Sequence, residues 1–381
     1  MDDAAQLPEP DRIEGAPHPR KTPRLFGQEA AEHAFLSAYG AGRLHHGWLI
    51  TGPAGVGKAT LAWSIARFLL AHPPKHDAGL FGADAAPDTL AIDPDHPVAH
   101  RVAALSDPGL FLLRRPYDEK AKRLKQQITV DEVRRVKSFF ALSAADAGRR
   151  VVIVDCADEM TTSAANALLK LLEEPPANTT LLLVSHQPSR LLPTIRSRCR
   201  ELRLSPLRPS DMARALAQAG ATGADAPDAL AELAAGSVGA ALRLEAADGV
   251  RIYGEMVAIY GELPQLDRQR ALKLAESGAA RGAEARLDML IALNDLFLTR
   301  LARFGAMGTS PPVEAAPGEA ALIARLAPDP ARARLWAELA HSLSARIAHA
   351  RAVNLDPASL ILDMIFSIRN TAAGQAAMGA R

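Results

Sequence analysis

The stretch Trp48-Leu49-Ile50-Thr51-Gly52-Pro53-Ala54-Gly55-Val56-Gly57-Lys58-Ala59-Thr60 decides the fold. A short apolar run reads as a buried strand. A glycine-rich turn follows, and an Ala/Leu-rich helical pattern begins at Lys58. G-x-x-x-x-G-K between a strand and a helix is a phosphate loop. Its glycines let backbone N–H groups approach phosphate oxygens with no Cβ in the way. The helix that follows adds the positive end of its dipole. Lys58 supplies a cation for the β- and γ-phosphates. The candidate nucleotide-binding residues are therefore Gly52, Pro53, Ala54, Gly55, Val56, Gly57, Lys58, Ala59 and Thr60, and the expected cofactor is ATP or ADP at a degenerate site.

The site is degenerate because the position after the lysine normally carries Ser or Thr, whose hydroxyl ligates Mg²⁺. Here it is Ala59, with Thr60 one place late. One residue along a helix rotates a side chain by ~100°, so Thr60 is no simple substitute. Val151-Val152-Ile153-Val154-Asp155 reads as a second buried strand ending in an acid. Asp155 is a candidate for holding a metal's water shell. The next position, where a glutamate would polarise an attacking water, is Cys156. A thiol, with an ordinary pKa of about 8.5, suits that task poorly. No metal ligands are assigned.

Working outward, further strand candidates are Leu110 to Leu113, Leu181 to Val184 and Glu201 to Leu204. They alternate with amphipathic helices at Asp131 to Phe140 and Ser163 to Glu174. Continuous apolar strands alternating with helices predict a parallel sheet flanked by helices, an α/β fold. After Pro206 the strand signals stop, and the rest is rich in Ala, Leu and Arg, strong helix formers. The domains expected are a flexible N-terminal arm over 1–22, the α/β domain over 23–207 with an insertion or long loop at 72–108, a small helical domain over 208–247, and an all-helical domain over 248–381.

Composition narrows the function. The chain has 381 residues, with 44 Lys+Arg against 43 Asp+Glu, so net charge makes no case for a nucleic-acid binder. Two cysteines cannot build a four-cysteine zinc module, and no zinc is expected. No apolar run approaches the ~18–20 residues a membrane span needs, and the N-terminus lacks a signal peptide's apolar core. A cytoplasmic protein without a membrane partner is expected.

The runs Leu25-Phe26-Gly27-Gln28, Gly52 to Lys58, Val151 to Asp155, Asn166-Ala167-Leu168-Leu169-Lys170, Leu172-Glu173-Glu174-Pro175-Pro176 and Ser197-Arg198-Cys199 occur in that order. Together they resemble the clamp-loader subunits of bacterial DNA polymerase III. The helix ending in Glu-Glu-Pro-Pro, followed by Ser-Arg-Cys, is the most specific part. The resemblance implies an AAA+ P-loop domain, a helical lid and a C-terminal collar that assembles with other subunits. That family contains ATP-hydrolysing motors and a stator of the delta-prime kind. Ala59 and Cys156 depart from the motor pattern. Gly239, in Gly236-Ser237-Val238-Gly239, stands where a motor carries a second-sensor arginine, and Ser185-His186 where it carries threonines.

The resemblance therefore implies the stator, whose own ATP hydrolysis is absent and which is a subunit of the polymerase complex. Its Arg198 would be an arginine finger acting in trans. Its partners would be the motor (gamma/tau) and delta subunits, the sliding clamp and, through the assembled complex, primer-template DNA. The alternative is an active motor that uses Asp158 or Glu159 as the missing acid. The basic residues Arg114, Arg115 and Lys120 to Lys125 read as a solvated face or a DNA-backbone contact. The stripe Leu287, Leu290, Ile291, Leu298 and Leu301 reads as core with some interface.

Overall fold

The computed structural model describes residues 8–13, 16–73, 87–142, 148–221, 226–311 and 313–379. They form two compact units, residues 1–220 with 236–240, and residues 221–235 with 241–381. Residues 208–247, expected as one small domain, are divided between them.

Among the described residues, the first unit has seven strands: β1 (Gly47–Thr51), β2 (Leu110–Leu113), β3 (Tyr117–Asp118), β4 (Arg123–Leu124), β5 (Arg150–Val154), β6 (Thr179–Val184) and β7 (Arg200–Arg203). Five of them form one sheet in the order β2-β5-β6-β1-β7. Every neighbour pair in it is parallel. This is the expected parallel α/β sheet, with its central strands β1, β5 and β6 buried on both faces. Strand side chains alternate between faces. Leu49, Val152, Val154, Leu181 and Leu183 face a core completed by Val133, Val136 and Phe140 and by Ala164, Leu168, Leu171 and Leu172. Those two groups lie on the helices Val130–Leu142 and Thr162–Glu173. Thr161 caps the second helix, its hydroxyl accepting from the Ala164 N–H at 3.2 Å. On the phosphate-loop side, the helix Lys58–Ala71 buries Leu61, Ile65, Phe68 and Leu69 and packs on β5 and β6.

Ligands of open parallel sheets sit beyond the carboxyl ends of the strands. Here those ends carry the phosphate loop (β1), Arg114 (β2), Asp155 (β5), Ser185 (β6) and Leu204 (β7). The basic run forms the two-stranded hairpin β3–β4. In the expected insertion, residues 97–103 are a helix capped by the His96 ring, which accepts from the Val98 N–H. Residues 74–86 lie outside the described residues.

Over its described residues, the expected flexible arm is corrected. Residues 8–13 and 16–22 pack against the unit, held by charge. His18 is buried, and Arg67 donates to the carbonyls of Arg20 and Thr22 at 2.6 and 3.0 Å. Acidic and basic residues that look solvated in sequence find buried partners far along the chain.

The second unit is helical. Its longest helices are Glu284–Met307, Pro330–Ala352 and Pro357–Gly379. The stripe on the first of these is core at Leu290, Leu298 and Leu301. Glu319, fully buried at 0% exposure, organises this unit. One carboxylate oxygen accepts from Tyr253 at 2.6 Å and Arg300 at 2.7 Å, the other from Arg300 at 3.1 Å and the Ala315 N–H at 2.8 Å. Arg300 also reaches Glu232 at 2.6 Å. Removing one partner of a buried pair strands the other's charge, at about 3–5 kcal/mol. Glu319→Ala is therefore expected to lower the stability of the helical unit by roughly that amount, read as a fall in its urea midpoint. A loss below about 1 kcal/mol, the level of a surface pair, would contradict this account.

Candidate functional site

The phosphate loop is held by five consecutive carbonyls. Lys58 Nζ donates to Gly52 O at 2.7 Å and Pro53 O at 2.5 Å. Ser237 Oγ donates to Ala54 O at 2.8 Å, and the Gly239 N–H to Gly55 O at 3.0 Å. Gln28 Nε2 reaches Val56 O at 3.4 Å and Ser205 O at 2.7 Å, while Gln28 Oε1 accepts from the Ser205 N–H. With its carbonyls tied back, the loop turns its amides to the opposite side. Among the described residues, the N–H groups of Gly55, Val56 and Gly57 have no acceptor. Unpaired backbone N–H groups in a glycine turn form a concavity suited to an anion. Gly55 and Gly57 have φ of +77° and +103°, where a Cβ is disfavoured.

The residues at 236–239 fit this loop closely. A Cβ on Gly239 would come within 2.9 Å of Gly55 Cα, and one on Gly55 within 2.4 Å of Ser237 Oγ. Glycine at 239 thus lets the backbone press on the loop, where a longer side chain would force the two apart. Sequence reasoning marked Gly239 for what it lacks; the structure adds what its bare backbone does.

The chemistry around the loop is weakened in several places. Lys58 is buried, and desolvation pushes its pKa down to about 8 against the pull of the carboxylates of Asp158 and Asp155. Burial raises the Asp155 carboxyl to about 7, with the nearby charges of Asp11 and Glu159 pushing the same way. Asp155 Oδ2 has no hydrogen-bond partner among the described residues. Cys156 sits at φ +56° with Sγ 3.3 Å from His186 Nε2. Burial and the surrounding carboxylates raise its pKa far above the ordinary thiol value, so it stays a neutral thiol and no base. Asp158 accepts from the backbone N–H groups of His186 and Gln187 at 3.0 and 3.3 Å. Glu159 is paired with Arg115 at 2.7 Å. Both substitute acids are therefore engaged elsewhere.

A hard Mg²⁺ ion takes oxygen ligands. Position 59 offers a methyl group, position 156 a thiol, and Asp155 a carboxyl that burial drives toward its neutral form. These residues do not fit a magnesium ion.

Arg198 lies apart from the loop, in the turn before β7. Its side chain is 39% exposed. It donates to Thr194 O at 3.1 Å and pairs with Glu173 at 2.9 Å. Glu173 belongs to the Leu172-Glu173-Glu174-Pro175-Pro176 motif, so the two most specific sequence signatures meet here.

Sequence reasoning missed Gln28 as the brace of the loop, although it lies inside a quoted run. It also missed a buried cluster of Glu9, Asp11, His18, Arg20 and Arg114. The one signal available for that cluster was the close alternation of acids and bases in the N-terminal segment.

The chain is similar in sequence to known proteins. Residues 27–208 match the family described as DNA polymerase III, delta subunit. DNA polymerase III subunit delta' of Pseudomonas aeruginosa is 43% identical over 169 residues, covering 44% of this chain and 46% of the relative. The delta' subunit of Escherichia coli is 35% identical over 217 residues, covering 55% and 57%. DNA polymerase III subunit gamma/tau of Mycobacterium bovis is 29% identical over 202 residues, covering 52% and 31%. The matches span about half the length of the delta' relatives. Over residues 27–208, the chain is thus similar to the delta' subunits of bacterial DNA polymerase III.

Proposed function

We propose that this chain is the stator of a DNA polymerase III clamp loader: a cytoplasmic subunit that does not hydrolyse ATP and lends Arg198 to a neighbour's nucleotide. The observation that carries this reading is a division of labour. The chain's own cleft lacks a metal hydroxyl at Ala59 and a base at Cys156, while Arg198 is half-exposed on a loop away from that cleft. A guanidinium keeps its charge and bonds phosphate oxygens as a planar fork. Supplied in trans, it neutralises charge that develops on a transferring γ-phosphoryl group. The partners are then the gamma/tau motor and delta subunits, the sliding clamp and primer-template DNA.

The similarity to a gamma/tau subunit favours a second reading, an active motor. Against it stand the engagements of Asp158 with two backbone amides and of Glu159 with Arg115. The two readings separate on the isolated chain. The stator reading expects no ATP turnover above background. Steady turnover abolished by Lys58→Ala would establish the motor instead.

The finger is tested in the reconstituted loader. Arg198→Ala is expected to leave the chain folded and to cut DNA-stimulated ATP turnover by roughly 10-fold or more, given that trans fingers supply ~10³ to 10⁵ elsewhere. Glu173→Gln, which removes only the resting partner, is expected to retain turnover. Wild-type turnover in the Arg198 variant would remove the finger role.

A further inference from the structure

We propose that the N-terminal segment Glu9 to Ile13 is a built-in strap that lies along the nucleotide cleft and keeps nucleoside di- and triphosphates off a phosphate loop otherwise shaped to take them. The proposal deepens the stator reading and rests on it, because it names what closes the silent site.

The loop itself is prepared. Its carbonyls are tied back, and the N–H groups of Gly55, Val56 and Gly57 have no acceptor among the described residues. The strap runs from the end of β2 to this loop. At one end Glu9 accepts from Arg20 at 2.9 and 3.0 Å and pairs with Arg114, just beyond β2, at 2.9 Å. In the middle Asp11, its carboxylate only 2% exposed, accepts from the indole N–H of Trp63 at 3.2 Å and pairs with His18 at 3.2 Å. Trp63 stands on the helix that the phosphate loop opens. At the other end the Ile13 side chain lies against Gly239: a Cβ there would meet Ile13 Cδ1 at 3.0 Å. Gly239 is the residue whose N–H binds the loop at Gly55 O.

The charges follow the same path. Burial alone would raise the Asp11 carboxyl, but His18 and Trp63 hold it below its usual range. Asp11 therefore stays ionised, and its charge helps to push Asp155 toward the neutral form. A polyphosphate entering between β5 and the loop would meet a fixed carboxylate. The bases that might have received a phosphate, Arg114 and Arg20, are already paired with Glu9.

The variants that test this keep the full chain and its volume. Glu9→Gln with Asp11→Asn removes the carboxylates, and Arg114→Gln loosens the same anchor from the opposite side. Fluorescent ADP and ATP analogues are titrated into each chain without Mg²⁺. A closed site lowers apparent affinity by the fraction that is open. The expected result is weak or no binding by the wild-type chain and a gain of ~10-fold or more in both variants, lost again on adding Lys58→Ala. Equal binding by the wild-type chain and both variants overturns the strap, and so does the absence of any gain. Either result leaves the Arg198 experiment standing, since that is read on a neighbour's ATP turnover.

Discussion

Five consecutive backbone carbonyls, from Gly52 to Val56, set the character of the first unit. Backbone carbonyls need partners once water is shut out. They find partners in three parts of the chain: Lys58 for the first two, Ser237 Oγ and the Gly239 N–H for the next two, and Gln28 for the last. The turn that joins β1 to its helix is thereby fixed from outside. The Gly-Ser segment at 236–237 and the Gly27-Gln28 pair are useful because they reach this loop. The same bonds explain a feature that reads as loss in the sequence. An arginine at 239 would need room that the Gly55 backbone occupies, so the missing sensor and the close contact are two sides of one arrangement.

In the stator we propose, inactivity would have several independent sources rather than one broken residue. Ala59 removes a metal ligand by composition. Cys156 replaces a base with a thiol that burial keeps protonated. Asp155 keeps its identity but is pushed toward neutrality by burial and by two neighbouring acids. Restoring any one group would leave the others. Changing Cys156 to a glutamate would add a third acid beside Asp155 and Glu159, raising carboxyl pKa values further by like-charge repulsion.

Much of this was legible in the sequence where the signal was local. Strand runs such as Leu110 to Leu113 and the capped helix after Thr161 follow from short-range periodicity and turn chemistry. The phosphate loop is legible because its chemistry is backbone chemistry, and glycine spacing records it. What stayed hidden depends on pairs distant in sequence. Glu9 with Arg114 and Arg300 with Glu319 look like ordinary surface charges until the fold brings them together. The N-terminal residues read as a solvated arm for this reason, since a charged residue in sequence carries no mark of its partner. Gln28 was visible as a motif letter, but its two-way bond with Ser205 needs β7 in position first.

Two arginine–carboxylate pairs in this chain share the same chemistry and serve opposite ends. Arg300 and Glu319 are both buried, so separating them would leave charge in a medium that cannot solvate it, and the pair holds the helical unit rigid. Arg198 and Glu173 are both about two-fifths exposed. Water solvates either partner when they part, and such surface pairs are worth about 0–1 kcal/mol. Glu173 thus parks the Arg198 guanidinium at little energetic cost, keeping it charged and oriented without committing it. In the stator we propose, a phosphate presented by a neighbouring subunit would carry more charge than one carboxylate and accept the same planar fork, and so would outcompete Glu173 for Arg198. Burial, not residue type, decides which of these two salt bridges is costly to part and which opens at little cost.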